Sequence, residues 1–137
     1  MREAKRQARS FNRVRAAHQR EVAEDYVELI ADLIDVTGEA RAVDPAERLG
    51  VTNAAVNNAL NRLAREGLVT RQRYRSIFLT EAGRKLAGEA RERHRLVRDF
   101  LISIGVDAEI AEIDAEGIEH HTSEITLNAL RRFLNDR

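Results

Sequence analysis

Between Ala46 and Leu63 the small and apolar residues fall at a spacing that few arrangements tolerate: Ala46, Leu49, Gly50, Val51, Val56, Leu60 and Leu63. A small residue lets two short helices cross closely, and a glycine permits the tight turn between them. The later Val and Leu positions then pin the second helix at a fixed angle, which is the helix-turn-helix pattern. Local signals frame it. Asp44 is placed to cap the first helix, with Pro45 in its first turn and Glu47 three residues on, as in a capping box. Thr52 is a good N-cap for the second helix, which is expected to run to about Glu66 and stop at Gly67. Two short β-rich runs, Leu68-Val69-Thr70 and Ile77-Phe78-Leu79-Thr80, flank an Arg-rich turn and predict a hairpin, the wing of a winged helix.

The flanking sequence reads as helix. Val22, Tyr26, Leu29, Ile30, Leu33 and Ile34 recur at spacings of three and four, predicting a helix over about 20–36 that Thr37-Gly38 ends. Thr80 is expected to cap a long helix reaching about Ile104, followed by helices over about 108–121 and 123–135. With 43% hydrophobic residues but only 4% aromatics, the core must be built from Leu, Ile, Val and Ala. The expected fold class is mainly α. A basic, partly ordered N-terminal arm (1–20) leads into a winged helix-turn-helix (21–80), and an all-helical domain (81–137) follows.

The chain's formal net charge is zero, which hides an asymmetry. Residues 1–20 carry seven Lys/Arg against one Glu, residues 57–75 carry five Arg against one Glu, and residues 107–124 carry seven Asp/Glu with no Lys or Arg. A basic front and an acidic back imply an anionic partner at one end and cations at the other. With no cysteine, a disulfide scaffold, a thiolate zinc site and a catalytic thiol are excluded. No apolar run approaches a membrane span, and the basic N-terminus lacks the apolar stretch of a signal peptide, so a cytoplasmic location without membrane contact is expected.

The second helix of the helix-turn-helix is the one that enters a DNA major groove. Its candidate contact residues are Thr52, Asn53, Ala54, Ala55, Asn57, Asn58, Asn61 and Arg62, with Arg65 later, and Arg71, Arg73 and Arg75 alternate along the wing, where they can face phosphates. Asn pairs at two points with adenine and Ala packs on a thymine methyl, so an A/T-leaning operator in double-stranded DNA is expected.

A second constellation points to metal. Asp25 and Glu28 are three apart on one helix face, beside the apolar stripe, and Asp32 lies near the same line. Glu116, Glu119 and His120 stand at i, i+3 and i+4 of a later helix, and His94 lies midway along the long helix. His18 reads as a surface residue, and His121 is ambiguous. Carboxylates and imidazoles without sulfur suit Mn²⁺, although Zn²⁺ and Co²⁺ generally bind such ligands more tightly.

Taken together, Asp25-Tyr26-Val27-Glu28-Leu29-Ile30, Leu49-Gly50-Val51, Arg91-Glu92-Arg93-His94 and Asp114-Ala115-Glu116-Gly117-Ile118-Glu119-His120-His121 make residues 11–135 resemble the manganese transport regulator branch of the diphtheria-toxin-repressor family. The resemblance implies that the all-helical domain binds metal and dimerises. It also implies Asp25, Glu28, His94, Glu116, Glu119 and His120 as the ligands of two Mn²⁺ ions per subunit, with Zn, Co, Fe or Cd as other possible occupants. It further implies a homodimer that represses metal-importer genes, with no enzymatic activity and no small-molecule substrate. The iron-responsive branch has Met near the position of Asp25 and Cys near that of Glu116, whereas this chain has hard oxygen ligands at both. Larger members add a C-terminal SH3-like domain, for which this sequence is expected to be too short. Related regulators often carry Lys where Asn58 and Asn61 stand, so the Arg-rich arm is expected to replace lost phosphate contacts. Two other readings fit parts of the pattern: a di-metal enzyme, and a winged-helix regulator whose acidic helix is a protein-binding face.

Overall fold

The computed structural model describes residues 3–41, 44–72 and 76–136. In chain order the elements are α1 (Ala4–Thr37), β1 (Ala40–Arg41), α2 (Asp44–Leu49), α3 (Asn53–Arg65), β2 (Val69–Arg71), β3 (Ser76–Leu79), α4 (Glu81–Ser103), α5 (Ala108–Glu119) and α6 (Glu124–Asn135). They form two compact units, one of Ala23–Glu89 and one of Met1–Val22 with Ala90–Arg137. No helix among the described residues is long and apolar enough to cross a membrane.

In the Ala23–Glu89 unit, Tyr26, Ile30 and Leu33 of the apolar stripe on α1 are buried while Leu29 and Ile34 are half-buried, and Val27, outside the stripe, is buried as well. α2 and α3 meet through Gly50, whose φ of +66° lies in the left-handed region that the tight turn needs and that other residues seldom adopt. Thr52 caps α3 by accepting a hydrogen bond from the Ala55 amide at 3.1 Å, and Val56, Leu60 and Leu63 form its buried face. Asp44 behaves differently from the sequence expectation. It is the first residue of α2, and its carboxylate accepts from the Arg41 amide, tying down the preceding strand. β2 and β3 pair antiparallel with Val69 opposite Leu79 and Arg71 opposite Ile77. β1 adds a third strand on the other side of β3, so that the order is β1-β3-β2 and Ile77 is buried at the centre. Thr80 caps α4 through the Gly83 amide, and Gly83 permits a close approach there: a Cβ on it would lie 2.1 Å from the Leu68 carbonyl oxygen.

The second unit is purely helical among its described residues. Val97, Ala115 and Leu127 form its centre, with Leu96, Leu101 and Leu130 packed around them. Burying a Leu or Val side chain fully contributes about 1.5–3 kcal/mol. The Phe100 and Phe133 rings meet edge to face at 5.5 Å. Asp107 caps α5 and Ser123 caps α6. α5 stops at Glu119 with His120 as its C-cap, still in right-handed helical conformation, so Glu116, Glu119 and His120 keep the register expected of them.

The N-terminal segment departs from expectation. Instead of a partly ordered arm over residues 1–20, α1 is already helical at Ala4. Ala, Arg, Gln and Lys are strong helix formers, which favours this. Among its described residues the segment buries little, with Phe11 58% and Val14 59% exposed and Ala17 buried, so it rests on propensity more than on a buried apolar face.

Candidate metal centre and nucleic-acid interface

Within the helical unit, polar groups collect at two places. At the first, His94 on α4 has Nε2 2.7 Å from Glu112 Oε1 and Nδ1 3.3 Å from Glu116 Oε1. Glu112 and Glu116 are one turn apart on α5, so both carboxylates reach the same imidazole. The hydrogen bond with His94, helped by the Arg98 guanidinium, holds the Glu112 carboxyl below its ordinary pKa. Glu112 was not among the expected site residues, and its i−4 relation to Glu116 is the signal that marks it.

At the second place, Glu119 and His120 are buried, with side chains 0% and 1% exposed, and His120 Nε2 lies 3.1 Å from Glu119 Oε1. Arg93 on α4 donates from Nε to the other oxygen, Oε2, at 3.0 Å. An ionised carboxylate withdrawn from water is costly unless a positive charge faces it, and the Arg93 guanidinium supplies one. A buried imidazole nitrogen beside a buried carboxylate oxygen, with no sulfur nearby, is a donor set that fits a hard or borderline divalent cation such as Mn²⁺.

In the other unit, Asp25 and Glu28 lie one turn apart on α1, both half-buried, whereas Asp32 is exposed. The neighbouring Glu24 is buried, which the apolar stripe alone does not reveal. In the helical unit the two remaining histidines share one carboxylate: Glu21 Oε2 is 2.8 Å from His121 Nε2 and 4.0 Å from His18 Nδ1.

The nucleic-acid face is α3. Thr52, Asn53, Ala54, Ala55, Asn57, Asn58, Asn61 and Arg62 are all exposed on it, opposite the buried Val56, Leu60 and Leu63. Arg62 pairs with Glu66 at 3.2 Å. Arg71, expected on the wing facing phosphate, instead donates from β2 to the Asn57 and Asn61 side chains. Arg73 and Arg75 lie outside the described residues.

Both halves of the chain are similar to domains of known proteins. Residues 19–77 match the family model described as the iron dependent repressor N-terminal DNA binding domain. Residues 80–137 match that of the iron dependent repressor metal binding and dimerisation domain. The transcriptional regulator MntR of Escherichia coli O6:H1 is 56% identical over 123 residues, which are 90% of this chain and 79% of that protein. Among solved structures, the manganese regulator SloR superposes with a TM-score of 0.72 at 30% identity, covering 82% of this chain and 53% of its own. A manganese-dependent transcriptional repressor in complex with manganese superposes with a TM-score of 0.74 at 28% identity, covering 82% and 52%. The chain therefore spans about half the length of these solved structures. With both domain models matched in order and a relative of this similarity, the chain belongs to the iron-dependent repressor family of metal-binding, dimerising transcriptional regulators.

Proposed function

We propose that this chain is a Mn²⁺-responsive transcriptional repressor that binds operator DNA as a homodimer in the cytoplasm and controls manganese uptake and homeostasis, without catalysing a reaction. The observation that carries the reading is the buried Glu119–His120 pair, a carboxylate and an imidazole 3.1 Å apart inside the domain matched as metal-binding. The two similar solved structures, a manganese regulator and a manganese-dependent repressor, support the manganese preference.

The ligand set of Asp25, Glu28, His94, Glu116, Glu119 and His120, holding two ions per subunit, is supported by residue chemistry and by the family resemblance. Zn, Co, Fe and Cd are further candidate occupants. A bound divalent cation supplies the positive charge that relieves repulsion among the carboxylates. Thr52, Asn53, Ala54, Ala55, Asn57, Asn58 and Arg62, with Arg73 and Arg75 of the wing, contact the operator. The dimer face is supported by apolar side chains left in water on α5 and α6, including Ile113 at 64% and Ile125 at 82% exposure. Metal favours the subunit arrangement in which two recognition helices meet successive major grooves, roughly 34 Å apart. A hundredfold gain in DNA affinity needs about 2.7 kcal/mol of coupling, within the range that allosteric proteins reach.

Gel-shift titration against the promoter of a metal transporter, with Mn²⁺, Fe²⁺, Zn²⁺ and Co²⁺ in turn, tests this. Glu119→Ala, and Glu119→Gln as the variant of matched shape, should abolish metal-dependent retardation while the protein stays dimeric. Full Mn²⁺-dependent binding by both variants would refute the proposed site.

A further inference from the structure

Arg71 makes a forked contact with the face of α3 that the repressor reading assigns to DNA. Its Nη1 donates to Asn61 Oδ1 at 3.0 Å and its Nη2 to Asn57 Oδ1 at 3.2 Å. The two asparagines are four residues apart, so their side chains follow one another along one line of the helix. The base of the fork is fixed, because the Arg71 backbone pairs across the sheet with Ile77, a residue 1% exposed at the centre of the strand order. A guanidinium carries only donors, so the edge of each carboxamide that faces it must be the oxygen edge. The oxygen and the nitrogen of a carboxamide diverge from one carbon. Anchoring both oxygens toward Arg71 therefore turns both –NH₂ groups away from it.

We propose that Arg71 is a specificity-determining positioning residue: it locks Asn57 and Asn61 so that the recognition helix presents N–H donors and reads base-edge acceptors. The inference rests on the operator-binding reading above. A free asparagine pairs at two points with adenine, accepting from N6 and donating to N7. With Oδ1 of each asparagine held by Arg71, the group offered to the groove is the donor. It matches O6 and N7 of guanine or O4 of thymine better than the mixed edge of adenine. The adenine preference expected for asparagine on a recognition helix is thus reversed at these two positions, while the thymine-methyl contacts expected of Ala54 and Ala55 are untouched. Lysine at position 71 would keep the charge but not the fork, because an ammonium is a point donor on a flexible stem.

The test is a binding selection from a randomised operator library at saturating Mn²⁺, run with the wild-type chain, Arg71→Ala and Arg71→Lys. All three side chains of the contact, Arg71, Asn57 and Asn61, lie at the surface, so folding is expected to survive and circular dichroism will check it. The wild type should disfavour adenine at the base pairs under Asn57 and Asn61. Both variants should recover adenine there by about fivefold, the lower end of what one two-point amide–adenine contact is worth, with the rest of the profile unchanged. If Arg71→Ala instead weakens binding evenly across all sequences and lowers the salt slope by about one, Arg71 is a phosphate contact and the inference is overturned alone. If the wild type selects no DNA at all, the operator-binding reading falls and takes this inference with it.

Discussion

The two polar regions of this chain solve opposite problems. On α3 the asparagines and Arg62 stand in water, and the contacts that orient them, the Arg71 fork onto Asn57 and Asn61 and the Arg62–Glu66 pair, lie at the surface and contribute little to stability. In the helical unit Glu119 and His120 are withdrawn from water, and Arg93 is tied to the same carboxylate. A surface made to meet a partner keeps its polar groups solvated and orients them through other exposed side chains. A site made to hold a charged ligand must keep its polar groups buried, so its neighbours stabilise the charge that the ligand will later face. Sequence changes should therefore act through affinity in the first region and through both stability and affinity in the second.

The largest expected effect follows from that asymmetry. Arg93→Ala leaves the Glu119 carboxylate buried without its guanidinium and should destabilise the metal-free chain by about 3 kcal/mol or more, measured by urea unfolding. Mn²⁺ in excess should restore part of the loss, since a ligand bound only by the folded state stabilises it. A change below about 0.5 kcal/mol would show that burial at Glu119 is less demanding than its surroundings imply. On the other side of the comparison, Thr52→Ala removes the N-cap of α3 and should cost about 1 kcal/mol, with metal affinity unaltered in a calorimetric titration. A loss of metal affinity in that variant would break the separation between the two regions.

Much of this was legible in the sequence because it depends on local rules. The Ala46–Leu63 spacing, the left-handed Gly50 and the Thr52 cap are nearest-neighbour chemistry, and the fold realises all three. The Glu116, Glu119, His120 register survives because the C-cap residue keeps helical backbone angles. Other features needed tertiary knowledge. β1 is two residues long, too short to show a period of two, and exists only because β3 offers it an edge. The helix from Ala4 onward rests on propensity without a buried stripe, so the apolar pattern is silent there. Glu112 and Arg93 look like ordinary surface charges until α4 and α5 are set side by side, when one reaches His94 and the other Glu119. The fork of Arg71 onto α3 spans ten and fourteen residues of chain, beyond what helix or strand periodicity reveals.

The central claim is that metal and operator binding are coupled, and coupling between binding sites is reciprocal. The most direct measurement is the Mn²⁺ affinity of the full chain by calorimetry, with and without saturating operator DNA. The operator should tighten Mn²⁺ binding by the same factor by which Mn²⁺ tightens operator binding in the gel shift. An Mn²⁺ affinity left unchanged by the operator would contradict it.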